Sequence, residues 1–193
     1  LIKKLKLPVV TGWNAHDLVS NENKYYAGKP GTVGDRPGNF AVQNSDLLIV
    51  LGCRLNIRQI SYNWKEFAPK AFKIMVDLDQ AELDKPTLQI NQKIKADLKF
   101  FIPLFIKKIK ELNYVSTKEH DKYLKWCKEK VFKYPVVLPE YTNKKNKKIN
   151  PYVFIDDLFN LLNKDDVVIT GNGSACVMTF QAAKIKQGQR LYT

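Results

Sequence analysis

An open α/β sheet of parallel strands is the fold class this sequence predicts, and three observations predict it. The strand-like runs, chiefly Asp46–Leu51 (DLLIVL) and Ala71–Asp79 (AFKIMVDLD), are solidly apolar rather than alternating, as strands covered on both faces are. Helical patterns and loops alternate with them along the whole chain. Turn residues or acids follow the runs directly, with Gly12 after Thr11, Gly52 after Leu51, Asp79 closing the third run and Gly171 after Thr170. Those carboxyl ends are where such sheets bind ligands.

In chain order, Leu1–Leu5 has a helix-like apolar pattern and Leu7–Thr11 (LPVVT) is a buried-strand candidate. Tyr26–Gly38 carries four glycines and two prolines and reads as a loop, by itself a surface turn. Gln80–Lys85 reads as a helical turn stopped by Pro86, and Leu88–Ile94 as a shorter, half-exposed strand. From Leu98 to Leu112 the apolar residues fall at helical spacing with lysines opposite; Pro103 is tolerable only near the first turn, which leaves the helix start open. Thr117–Lys133 is a second, lysine-rich helix. Pro135–Asn150 reads as a linker, with Lys144, Lys145, Lys147 and Lys148 clustered in it. Asn150-Pro151 provides an N-cap and a first-position proline for the next helix. Val167–Thr170 is a strand, Ala175–Lys186 a helix candidate, and Arg190–Thr193 is strand-like.

Composition narrows the function classes. The chain has 193 residues, 45% of them hydrophobic, enough for a real core. No apolar run approaches the roughly 18–20 residues of a membrane span. Three cysteines without a CxxC pair and two distant histidines fit a reducing, cytoplasmic setting and disfavour a disulfide scaffold or a zinc site. The net charge of +13 raises nucleic acid as a partner, but only Arg36, Arg54, Arg58 and Arg190 among the 32 basic residues are arginine. Arginine is the favoured bidentate reader of phosphates and bases, so a solvated lysine face is the better reading.

Candidate binding residues follow from the loops. Gly31 and Gly34 let backbone approach a flat or phosphorylated ligand. Arg54 and Arg58 offer an anion contact after the best strand, or else pair with a nearby acid and brace the loop. Cys53 reads as a small buried residue rather than a nucleophile. Asp77 and Asp79 suit a ribose hydroxyl, and Asp79 equally suits capping the turn that holds Glu82. Thr170-Gly-Asn-Gly-Ser174 is strand, glycine turn and helix start, whose free amides attract phosphate oxygens. His16 and His120 read as structural or solvent-exposed. Nothing here forms a nucleophile–base or acid–base pair.

The order and spacing of several of these pieces resemble the thiamine-diphosphate-dependent acetolactate synthase family. The matching string is Leu7-Pro-Val-Val-Thr11, Gly31-Thr-Val-Gly34, Phe40-Ala41, Ser45-Asp-Leu-Leu-Ile-Val-Leu-Gly-Cys-Arg54, Phe67-Ala-Pro69, Ile74-Met-Val-Asp-Leu-Asp79, Glu82, Lys85 and Ala96-Asp97. The resemblance implies a nucleotide-binding-like central domain over residues 1–134, with an open, mostly parallel six-stranded sheet and helices on both faces. A linker over 135–149 follows, and then a partial second α/β domain over 150–193, the N-terminal part of the family's C-terminal diphosphate-binding domain. It further implies that Gly171, Asn172, Gly173, Ser174 and Ala175 contact the cofactor diphosphate. Gly31, Gly34, Arg54, Asp77, Asp79 and Asp97 match the positions that hold FAD in flavin-containing members. Thr32-Val33 stands where the synthases carry methionine and histidine, which argues against FAD and against acetolactate synthesis itself.

On the same resemblance the cofactors are thiamine diphosphate and Mg²⁺, the substrate is a 2-oxo acid, and the assembly is a homodimer or homotetramer. The ring-activating glutamate is expected before Leu1 and the magnesium motif after Thr193, so that this stretch is a scaffold without activity of its own. The alternatives are a decarboxylase or carboligase of the same fold acting on a cell-surface or sugar precursor, and a free-standing nucleotide- or nucleic-acid-binding module.

Overall fold

A computed structural model describes residues 1–142 and 148–193; Lys144, Lys145 and Lys147 of the expected lysine cluster lie outside the described residues. Helix α1 is Ile2–Leu5 and α2 is Arg36–Gln43. Strand β1 (Leu47–Leu51), helix α3 (Ile57–Ile60), strand β2 (Phe72–Asp77), helix α4 (Gln80–Asp84) and strand β3 (Gln92–Lys95) follow. Helices α5 (Leu98–Glu111), α6 (Lys118–Lys133) and α7 (Pro151–Leu161) lead to strand β4 (Val167–Ile169), helix α8 (Ser174–Ala182) and strand β5 (Arg190–Tyr192).

All strand pairings among the described residues are parallel. One sheet has the order β1-β2-β3, with Leu47 opposite Phe72 and Ile74 opposite Gln92; the other pairs β4 with β5. The class is therefore α/β with open parallel sheets, but the described residues give three strands plus two, not six in one sheet. The missing pieces have visible reasons. Leu7–Thr11 forms only a single parallel bridge, Val9 to Tyr26. The third strand of the first sheet lies at Gln92–Lys95, later than the alternating run Leu88–Ile94. Leu88 is drawn instead into the first core with Met75 and Leu83. Nor are both faces covered everywhere, since Val167 and Ile169 are exposed.

Local chemistry accounts for the helix starts. Asp35, Asp79, Asp97, Thr117 and Asn150 each accept a backbone N–H at their helix N-terminus, supplying one of the acceptors that every helix start needs. Because Asp97 caps it, α5 begins at Leu98 and runs straight through Pro103. The proline there deprives only the carbonyl of Lys99, an exposed residue, of its helical donor. Helix α8 stops at Ala182, short of Lys186.

Two main cores result. The first joins Val50, Phe67, Met75, Leu83 and Leu88 beneath the first sheet. The second joins Ile155, Phe159, Phe180, Ile185 and Leu191, and Trp13, Val136 and Val137 pack onto it. The expected linker thus contributes two valines to a core, and Tyr141 lies against Tyr152. No helix among the described residues is long and apolar enough to cross a membrane.

Candidate functional site

The carboxyl ends of β1–β3 carry most of the acids and the arginine picked out from the sequence. Asp77 closes β2 and is buried, and one of its oxygens accepts the N–H of Asp79 at 2.9 Å. Asp79 caps α4 through Ala81 N–H at 2.9 Å, and Asp97 caps α5 through Lys99 N–H at 2.8 Å. The capping reading of Asp79 therefore holds. Arg54 stays mostly exposed, with a guanidinium nitrogen 3.8 Å from Glu82, and Lys85 joins the same carboxylate at 3.0 Å while donating to the carbonyls of Arg54 and Leu55. That brace, rather than a free arginine pair, shapes the loop. Burial pushes the Cys53 thiol up, against its thiolate.

The Gly28–Gly38 loop is not a surface turn. Gly28, Lys29, Pro30, Asp35, Pro37 and Gly38 are buried. Thr32 donates its N–H to the Arg58 carbonyl at 2.7 Å, and Asn39 exchanges hydrogen bonds with the Gly31 backbone at 2.9 and 3.1 Å. At Gly31 (φ 136°) a Cβ would stand 2.7 Å from the Arg58 carbonyl, and at Gly34 one would stand 2.1 Å from the Lys29 carbonyl. These two glycines serve close packing of the chain on itself. Gly34→Ala is expected to cost about 3 kcal/mol, the upper part of the range for forced overpacking, as read from urea unfolding midpoints.

Inside this loop Lys29 is wholly buried, and its ammonium donates to the carbonyls of Phe180 and Ala183, both at 2.9 Å. Burial pulls it down to about 8, against the upward pull of the Asp35 carboxylate. Asp35 accepts the N–H groups of Lys29 and Gly38, yet burial raises its pKa. His16, buried with Trp13 edge-on to its ring and Phe180 tilted against it, is brought down to about 3 by burial and then by the charge of Lys29, while a hydrogen bond to the Phe180 carbonyl opposes the shift. Its Nδ1 has no hydrogen-bond partner among the described residues.

The loop Gly171–Ala175 links β4 to α8 and is exposed along its whole length. Gly173 (φ 75°) turns the chain into the helix, and a Cβ at Gly171 or Gly173 would meet nothing within 4 Å. Asn172 folds its amide oxygen onto the Gly173 N–H at 2.7 Å, and no side chain caps α8. The first amides of the helix therefore face open space, a donor set that suits the oxygens of a diphosphate. No cluster of three or more His, Cys, Asp or Glu side chains suited to a metal forms among the described residues.

The fold thus divides the predicted residues into two groups. Arg54, Asp77, Asp79 and Asp97 share one strand edge, whereas Gly171–Ala175 belongs to the second sheet. Between them runs the Gly28–Gly38 loop, which reaches α8 through Lys29 and through Gln181, whose amide donates to the Gly34 carbonyl at 3.3 Å. Sequence reasoning missed Lys29 and Asp35; His16, read as structural or solvent-exposed, proves to be buried and structural. Asp35 carries the local sign of an N-cap acid shortly before Pro37, whereas Lys29 shows only a lysine between a glycine and a proline, and its partners lie 151 and 154 residues away.

Parallel strands in open sheets, with helices between them and a glycine turn opening α8, define an open-sheet α/β protein. Residues 1–105 match the family model for the central domain of thiamine pyrophosphate enzymes, and the chain belongs to that family. It is similar to the probable acetolactate synthase large subunit of Methanococcus aeolicus, 32% identical over 119 residues, which is 62% of this chain and 19% of that protein. It is also similar to the acetolactate synthase large subunit of Cyanidium caldarium, 30% identical over 192 residues, 97% of this chain and 31% of that protein. The large subunit of acetolactate synthase isozyme 2 of Escherichia coli is 35% identical over 98 residues, 51% and 18% of the two chains. The chain matches between 18% and 31% of the length of these relatives.

Proposed function

We propose that this chain serves a thiamine-diphosphate enzyme of the acetolactate synthase kind, acting on a 2-oxo acid by decarboxylation and carboligation. Residues 1–134 are its central scaffold, 135–149 a linker and 150–193 the beginning of the diphosphate-binding domain. The observation that carries the reading is the uncapped, open amide set at Gly171–Ala175, in a chain whose first 105 residues match that family.

When bound, thiamine diphosphate supplies the nucleophilic carbon and the electron sink. The chain's own part is binding and orientation. The N–H groups of Ser174 and Ala175, backed by the dipole of α8, hold diphosphate oxygens. Gly173 lets the loop turn without a side chain in the way, and Ser174 adds a hydroxyl donor. Mg²⁺, a homodimeric or homotetrameric assembly and a cytoplasmic setting complete the proposal.

The test uses the full polypeptide that carries this chain. The expected outcome is consumption of a 2-oxo acid with release of CO₂ that requires added thiamine diphosphate and is lost, tenfold or more, in Gly173→Val. Turnover of no 2-oxo acid with the cofactor present would contradict it.

A further inference from the structure

Helix α8 is tied to the rest of the chain at the end opposite its glycine turn. The last carbonyls of a helix have no internal partners. Here two of them, Phe180 and Ala183, accept from one ammonium, that of Lys29. A cation at a helix C-terminus is also favoured by the helix dipole. Lys29 is held in turn by its own loop, since Asp35 accepts its backbone N–H and donates its own N–H back to the Lys29 carbonyl at 2.7 Å. Burying an ammonium completely is costly unless its donors are met, and no residue of α8 is charged. Hydrophobic packing could have seated this helix without a lysine, and Trp13 does stack on Phe180 at 4.7 Å. What the lysine adds is direction. Two hydrogen bonds from a single nitrogen fix the helix end in register and rotation, as a stacked ring does not.

We propose that Lys29 is a positioning residue, whose ammonium clamps the C-terminal end of α8 to the Gly28–Gly38 loop and so sets the aim of the Gly171–Ala175 amides at the other end. The nine residues of α8 span about 13 Å at 1.5 Å per residue, so a small rotation at the clamp carries through to the turn. Gln181 reinforces the connection by contacting the Gly34 carbonyl while accepting from the Tyr152 hydroxyl at 2.7 Å. Any change in the Gly28–Gly38 loop is thereby felt at the diphosphate turn. The inference rests on the diphosphate reading of that turn.

The test combines amide hydrogen exchange with titration by inorganic diphosphate. In Lys29→Met, exchange over residues 171–183 is expected to rise about tenfold while β1–β3 keep their protection, and diphosphate affinity is expected to fall about tenfold. Lys29→Arg, which keeps the donors, is expected to restore both in part. In Lys29→Ala, n-propylammonium is expected to slow the exchange again and n-propanol is not. Unchanged exchange in Lys29→Met, or equal rescue by the alcohol, overturns the clamp whatever the wild type binds. Faster exchange with unaltered diphosphate affinity overturns the positioning role. A wild type that ignores diphosphate defeats the functional reading of the turn, and the exchange data then judge the clamp alone.

Discussion

The stability of the chain is expected to fall as pH drops from about 6.5 toward about 3, and His16→Gln is expected to flatten that fall. His16 has an ordinary value of 6.5 and a folded value of about 3. Over that window the unfolded chain binds a proton at this site and the folded chain does not, so stability rises with pH. The contribution is complete above about 6.5 and is lost progressively on acidification. One unit corresponds to about 1.4 kcal/mol, so the whole effect is on the order of 5 kcal/mol, a large share of the 5–15 kcal/mol of an ordinary domain. Asp35 acts in the opposite sense, because its raised carboxyl pKa binds protons more readily in the folded state. The difference between wild type and His16→Gln isolates the histidine. Glutamine keeps an N–H near the Phe180 carbonyl but cannot titrate. Superimposable unfolding midpoints for the two proteins between pH 4 and 7 would contradict the assignment.

The second large effect belongs to Phe180. Its ring is 1% exposed, stacks on Trp13 with the planes 14° apart and sits in the second core with Phe159 and Leu191. Phe180→Ala is expected to cost about 3–5 kcal/mol, the usual range for emptying a buried aromatic site. The seam it opens joins residues 13–35 to α8, so Trp13 fluorescence should shift red at denaturant concentrations where wild type is still folded. A loss under 1 kcal/mol would mean that the seam contributes little to holding the two halves together.

Much of this was legible in the sequence because it is local. The run Asp46–Leu51 reads as a strand from its apolar residues, although only Val50 of it is buried and Leu47 is exposed, and Asp79, Thr117 and Asn150 announce helix starts by residue type alone. The glycine turn after Thr170 follows from the strand-to-helix change. What was not legible depends on distant partners. Lys29 reads as a solvated lysine in a turn until the carbonyls of Phe180 and Ala183 are placed beside it, and His16 reads as an ordinary histidine until Trp13 and Phe180 enclose it. Leu7–Thr11 has the composition of a strand, yet only Val9 pairs, because pairing requires a neighbour that the run itself does not specify. Pro103 misled in the other direction. The proline costs the helix one hydrogen bond, but the freed carbonyl belongs to exposed Lys99 and can bond to water.

The most direct test of the account is a titration of the chain with inorganic diphosphate, followed through its backbone amide resonances. The account predicts saturable shifts confined to Gly171, Gly173, Ser174 and Ala175 and the first turn of α8, weakened by added salt. Shifts spread over the lysine-rich face of α6, or none at the glycine turn, would contradict it.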